Sequence, residues 1–303
     1  MAKELYREKT RFSGFQLALH IIFIVCCATY IIPFMLMLAI SFSTESDISR
    51  YGYTLFPRHF TLDAYRVALA NPTKVLRAYG VTIFYSIVSS IGVVVVNSLM
   101  AYPLSRPNFK FKGIVNTMMV ITMFISGGMV SGFISNTKWY HLGNTIWIYI
   151  LPGLVGVWNV IIIRTFFKGL PDGLVEAAKI DGASETRICF QICMPLCVPC
   201  MATIFFMNLV GKWNDWALSQ MYITNANLYS LQYLLQRILR EMEFVKGLIA
   251  EGSALSSMVD VSNYPTETVR YALAVVVAGP IIVVFPFFQK YFSKGITVGS
   301  LKG

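Results

Sequence analysis

Charge is what this chain has least of. Only 13% of its 303 residues are Asp, Glu, Lys or Arg, against about 25% in an average soluble domain. That shortage excludes an ordinary water-facing surface. Histidines number three, His20, His59 and His141, and they are too scattered to form a metal set. No GxxxxGKS or GxxxxGKT phosphate loop occurs, which excludes a nucleotide site of that type. GxSxG and HExxH are also missing. Nothing reads as an active site, so no catalysis, cofactor or metal is expected of this chain. If ATP is used, another chain must bind it.

Cysteine is sparse as well, six in all. Cys26 and Cys27 are adjacent in an apolar run, while Cys189, Cys193, Cys197 and Cys200 cluster. Four cysteines can hold zinc or an iron–sulfur centre. Here no CxxC pair flanks a second one, and Pro195 and Pro199 interrupt the helical register between them. They read as small apolar fillers.

Apolar residues are what the chain has in plenty: 56%, with a mean hydropathy of +0.61. They gather into runs of about 20, the length that crosses a bilayer as a helix. Six spans are expected, at Phe15–Ile40, Gly80–Ala101, Ile114–Gly132, Ile146–Ile163, Leu196–Trp216 and Val269–Phe288. The fold class expected is an all-α polytopic membrane protein, one domain over 1–303. The first run is too long for a signal-peptide core and lacks a small-residue cleavage site, so it is expected to stay. Residues 42–78 read as an outer segment whose helix, capped by Thr61 and running through Tyr65 and Leu69, lies on the membrane surface. Gly128 and Gly132 form a small-xxx-small pair suited to close helix packing or to a hinge. Trp139 and Tyr140 read as interface anchors in a loop over 133–145.

A net charge of +10 raises nucleic acid as a partner, but its placement argues otherwise. With six spans, the termini and the even-numbered loops hold 14 Lys and Arg, and the odd-numbered loops hold 9. The basic side is cytoplasmic. Both termini are therefore expected inside, and the partner implied is membrane lipid rather than nucleic acid.

One polar stretch sits between two apolar runs on that side, EAAKIDGASETRICFQICMPL from Glu176 to Leu196. Asp172, after Pro171, is expected to cap a helix whose first turn holds Glu176. Gly182 should end it in a left-handed conformation. Ser184 and Glu185 should start a second helix that ends near Pro195. Two short helices with a glycine elbow, too short and polar to span, suit being gripped by another protein.

Here the residues carry a resemblance. Glu176-Ala177-Ala178, Asp181-Gly182-Ala183, Phe190, Ile192, Pro195-Leu196 and Pro199 resemble the EAA loop of membrane permeases in binding-protein-dependent ABC importers. The tail, Gln289-Lys290-Tyr291-Phe292 with Lys294-Gly295 and Gly299 to Gly303, resembles that of the maltose-type sugar permease. Asn208, Trp213-Asn214 and Ser126 to Met129 are similar to the subgroup handling uronic-acid oligosaccharides, alginate among them. The resemblance implies that 169–196 is a cytoplasmic coupling segment acting through Glu176, Ala177, Ala178, Asp181, Gly182, Ala183 and Pro195. It implies a second similar permease, two cytoplasmic ATP-binding subunits and an outside solute-binding protein. The setting implied is a bacterial inner membrane, the cargo a carbohydrate, an acidic oligosaccharide such as an alginate fragment.

Polar residues inside spans are costly and mark function by default. Asn97, Asn208, Lys212, Trp213, Asn214 and Trp216 are the substrate-path candidates. Lys212 has two readings. It meets a sugar carboxylate, or it pairs with Asp215 or snorkels while the tryptophans form an aromatic belt. Asn97 and Asn208 also suit bonds between helices. The rival function, an ion-coupled carrier or intramembrane enzyme, would favour a carboxylate or histidine in mid-span. The spans hold no acid except Asp215, at an end.

Overall fold

A computed structural model describes residues 14–250 and 267–300. The basic residues Lys3, Arg7, Lys9 and Arg11, the loop stretch 251–266 and Lys302 lie outside it, as do the side chains of the tail beyond Lys290. Among the described residues helices prevail, with no strand beyond one bridge between Ser43 and Phe60. The α-helices are α1 (Gly14–Ser41), α2 (Glu45–Tyr51), α3 (Asp63–Ala68), α4 (Pro72–Ser105), α5 (Lys112–Phe124), α6 (Gly128–Ile134) and α7 (Val157–Lys168). They continue as α8 (Asp172–Ile180), α9 (Glu185–Ile188), α10 (Met194–Leu196), α11 (Val198–Trp213), α12 (Ala217–Tyr222), α13 (Leu231–Ala250) and α14 (Glu267–Ser300).

Three helices are long and apolar enough to cross a membrane alone: α1, α4 and the Glu267–Lys290 part of α14. Three bent pairs bring the number to six if each is one span. The third and fourth expected spans are thus broken rather than straight. Lys112–Phe124 and Gly128–Trp139 meet at 112°, Ile146–Gly153 and Val157–Lys168 at 52°. Gly128, at φ +78°, supplies the left-handed step of the first break. The close packing expected at Gly128 and Gly132 is not seen among the described residues, where a Cβ at either would meet nothing within 4 Å. The stretch 133–145 is also not all loop. α6 and a π-helical turn at Ser135–Trp139 carry the helix to Trp139.

The chain divides into two compact units. The first holds residues through Ala70 with Glu241–Val276. The helix expected after Thr61 is α3, a second short helix, α2, precedes it, and α4 already begins at Pro72. Proline suits that first position, where an N–H would be unpaired anyway. Thr61 stands just before Leu62, the residue at the N-cap of α3, and its hydroxyl accepts from the Asp63 N–H at 3.2 Å. Glu45 is buried, and its carboxylate accepts from Glu267 N and Thr268 N, both at 3.0 Å, and from Thr268 Oγ1 at 2.7 Å. It thus caps α14 from α2, satisfying donors that open any helix.

The second unit, Asn71–Arg240 with residues from Val277 on, is built around α4. α4 packs on α11 and α7. Its buried side carries Thr82, Ser86, Ser89, Ser90, Asn97, Ser98 and Ala101, small residues that let helix backbones approach where lipid gives no hydrophobic drive. Cys189, Cys193, Cys197 and Cys200 are all buried in one apolar cluster with Val160, Ile163 and Phe167. The prolines therefore do not scatter these thiols. At Cys189 burial pushes the thiol up to about 11.

Candidate functional site

The polar segment over 169–196 folds as an elbow. α8 starts at Asp172 behind Pro171, which makes no side-chain cap bond. Asp172 is thus the first residue of the helix and not its cap. Glu176 is the fifth residue and lies past the first turn, so it owes little to the helix dipole. Val175 and Ala178 are buried and form the inner stripe, while Glu176, Ala177 and Asp181 are exposed. Ile180 is 86% exposed, an apolar side chain left uncovered by the described residues.

Gly182, at φ +78°, closes α8. Its N–H donates to Lys179 O at 3.1 Å, and the Ala183 N–H donates to Ala178 O at 2.9 Å. These two bonds are the Schellman ending, which needs a left-handed residue at that place. Ser184 then caps α9, its hydroxyl accepting from Arg187 N. Helical structure runs through a π-turn at Cys189–Cys193 into α10, where Pro195 sits exposed, and bends by 85° into α11.

Glu185 braces the elbow, a role that the sequence reading did not foresee. It pairs with Lys179 Nζ at 2.7 Å and accepts from the Tyr102 hydroxyl at 2.5 Å. The Lys179 and Tyr102 bonds hold its carboxyl below the usual carboxylate range. Arg106 stacks over the Tyr102 ring, 4.9 Å from its centroid. A cleft of about 400 Å³ opens here, lined by Leu99, Tyr102, Arg106, Phe109, Lys179 and Glu185 among others. Tyr102 had no sequence signal beyond its place at the end of an apolar run.

The six substrate-path candidates do not share one environment. Asn97 is fully buried. Its amide donates to Val93 O at 2.5 Å and Leu154 O at 2.8 Å, and its carbonyl accepts from Gly156 N at 2.9 Å. It holds the two backbone groups freed where the fourth span breaks. Asn208 donates to Ser89 and Ser90 on α4, at 3.3 and 3.1 Å. Both asparagines bond between elements of the bundle.

Trp213 is 6% exposed, and its indole N–H donates to Val277 O at 3.0 Å. That seat between helices leaves no open ring face for a sugar to stack on. Trp216 is 37% exposed. Lys212 does not pair directly with Asp215. Its ammonium donates to Tyr149 O at 2.6 Å, which leaves two of its three donors. Asp215 instead accepts from Leu218 N at 3.1 Å. Asn214 is exposed and donates to Val210 O. Around Lys212 lies a polar knot. Tyr85 and Tyr149 stack with centroids 4.3 Å apart, and the Tyr149 hydroxyl meets Ser219 at 2.5 Å and Leu228 O at 2.8 Å.

This arrangement has counterparts. A chain in the crystal structure of a bacterial ABC transporter involved in the import of the acidic polysaccharide alginate superimposes with a TM-score of 0.76. The match covers 92% of this chain and 96% of that one at 23% identity, and it shows a shared fold. Protein LplC of Bacillus subtilis is 36% identical over 277 residues, 91% of this chain and 90% of LplC. The polygalacturonan/rhamnogalacturonan transport system permease protein YtcP of the same organism is 33% identical over 273 residues, 90% and 93% of the two chains. The family profile that matches spans residues 18–298. Such a protein is a membrane transport component that works with a solute-binding protein and an ATP-hydrolysing subunit. With its helical spans, its polar elbow and that match over nearly its whole length, the chain belongs to the family of binding-protein-dependent transport system inner membrane components.

Proposed function

We propose that this chain is one half of an import pore for an acidic oligosaccharide, driven through 169–196 by separate ATPase subunits. The observation that carries the coupling role is the elbow at Gly182, with Glu176, Ala177, Ile180 and Asp181 all exposed around it. A short, stiff helix with an uncovered small-residue and apolar face suits a cleft on a partner protein. The second half of the pore is a similar permease. Two ATP-binding subunits sit below, and a solute-binding protein delivers cargo from outside. Both termini lie in the cytoplasm, as the basic bias of the loops indicates.

The acidic cargo is supported by two likenesses. YtcP is named for polygalacturonan and rhamnogalacturonan, and the transporter of shared fold imports alginate. Lys212 is the residue of this chain that fits such a cargo. A uronate carboxylate bound by its two spare donors supplies the counter-charge that a part-buried lysine needs. Trp216 and Asn214 flank it.

The test uses the assembled importer in proteoliposomes with its binding protein. Lys212→Met should lower uptake of a uronate oligosaccharide at subsaturating concentration roughly tenfold, the loss of a charge-assisted bond. Uptake of a neutral oligosaccharide and basal ATPase activity should hold. Equal loss for both cargoes would remove the carboxylate role and leave Lys212 as a tie to Tyr149.

A further inference from the structure

We propose that the junction of α5 and α7 binds the phosphate headgroup of an anionic phospholipid, held by Lys112, Arg164 and Lys168. Arg164 Nη1 donates to Asn116 Oδ1 at 2.8 Å, fixing the last turns of α7 against the first turns of α5. Lys112 opens α5 and Lys168 closes α7. The three cations stand close enough that Lys168 is repelled first by Arg164 and also by Lys112. Among the described residues none of the three forms an ion pair. Among the described residues the Lys112 ammonium makes one hydrogen bond, to the neutral Arg106 carbonyl at 3.3 Å, which leaves its charge uncompensated.

Three cations gathered without a carboxylate repel one another, and an anion between them relieves that cost. The surface beside them says which anion. Further along α5, on the helical face that carries Lys112 and Asn116, Val120 and Met123 are exposed, an apolar patch two to three turns from the cations. A diacyl phosphodiester matches both parts, with its headgroup at the lysines and its chains along α5. A soluble phosphate would leave the apolar part bare.

The assembled importer, delipidated in detergent, is titrated with phosphatidylglycerol and with phosphatidylcholine, and bound lipid is counted by native mass spectrometry. The double variant Lys112→Gln with Lys168→Gln should bind phosphatidylglycerol roughly twentyfold to thirtyfold more weakly, with phosphatidylcholine unchanged. Lys168→Gln alone, at an exposed position, should lose roughly fivefold and serves if the double variant fails to assemble. Replacing both lysines by arginine should preserve binding. A control pair, Lys74→Gln with Lys138→Gln, removes the same charge elsewhere. If the control loses as much, if no variant changes the affinity, or if glycerol 3-phosphate displaces the lipid at equal concentration, the site is not a lipid headgroup site.

Discussion

At the scale of single residues, asparagine is the telling case. Asn97 and Asn208 look alike in the sequence, two amides inside apolar runs. The structure separates them. Asn97 satisfies both Leu154 O and Gly156 N at the break of the fourth span, and Asn208 reaches only two serine hydroxyls. Backbone groups left unpaired in hydrocarbon are expensive. Asn97→Leu should therefore destabilise the protein by about 2–4 kcal/mol and Asn208→Leu by about 1 kcal/mol or less. Asn97→Asp, which keeps only the acceptor for Gly156 N, should fall between them. Thermal unfolding of the purified permease in detergent ranks the three. An Asn97→Leu protein as stable as Asn208→Leu would show that the break does not depend on this amide. The sequence named both residues but could not say which backbone groups they meet, because a broken span has the same composition as a straight one. Trp213 teaches the same lesson. Its place beside Lys212 suggested a stacking surface, and only the partner at Val277 shows it turned inward.

Among elements, the elbow within 169–196 was the most legible. Its caps are local, and Gly182 and Ser184 act on their own neighbours, so sequence alone placed the elbow. Gly182 has open space around it, so a side chain there meets no clash. The penalty of substitution is conformational, roughly 1–2 kcal/mol for a left-handed residue with a Cβ. Gly182→Ala and Gly182→Val should thus behave alike, with near-normal abundance but released ATPase subunits or hydrolysis uncoupled from transport. Pull-down and proteoliposome uptake check this. A defect confined to valine would mean that bulk, not backbone, matters. Glu176→Lys should also weaken ATPase docking, through the charge it presents to the partner. The Glu185 brace was less legible because Tyr102 lies 83 residues away in sequence. Its carboxyl titrates lower in the folded protein than in the unfolded chain. The brace is thus in force above the unfolded value, near 4.5, and weakens as pH falls through the lower folded one. Both Glu185 and Lys179 are about half exposed, so the contribution is about 1 kcal/mol or less. Retention of ATPase subunits should decline below that range for the native protein, and Glu185→Gln should show the weakened retention at neutral pH with a flatter pH dependence. Parallel curves would take the brace out of docking.

For the whole molecule, hydropathy foretold the helical class, and its six apolar runs correspond to three long helices and three bent pairs, since both follow from apolar length. It missed the breaks because they depend on glycine conformations and on distant partners such as Asn97. Membership in a binding-protein-dependent family agrees with spans that lack mid-membrane acids, which an ion-coupled carrier would favour. Orientation rests on the basic bias alone. A reporter active only outside the cytoplasm, fused after Gly303, should stay silent, and strong activity would reverse the placement of 169–196.

α4 has 34 residues and is thus about 51 Å long, well beyond the roughly 30 Å of hydrocarbon it crosses. Near one end Tyr102 grips the Glu185 brace, and 20 residues back Thr82 accepts from Leu231 N at 2.9 Å while Tyr85 donates to Lys212 O at 3.0 Å. Those grips lie about 30 Å apart along a single rod. A tilt of roughly ten degrees about one of them carries the other by about 5 Å, close to one helical turn. A shaft clamped near both ends cannot swing at one without dragging the other, so the position of the elbow and the seat of Lys212 are geared together by one helix.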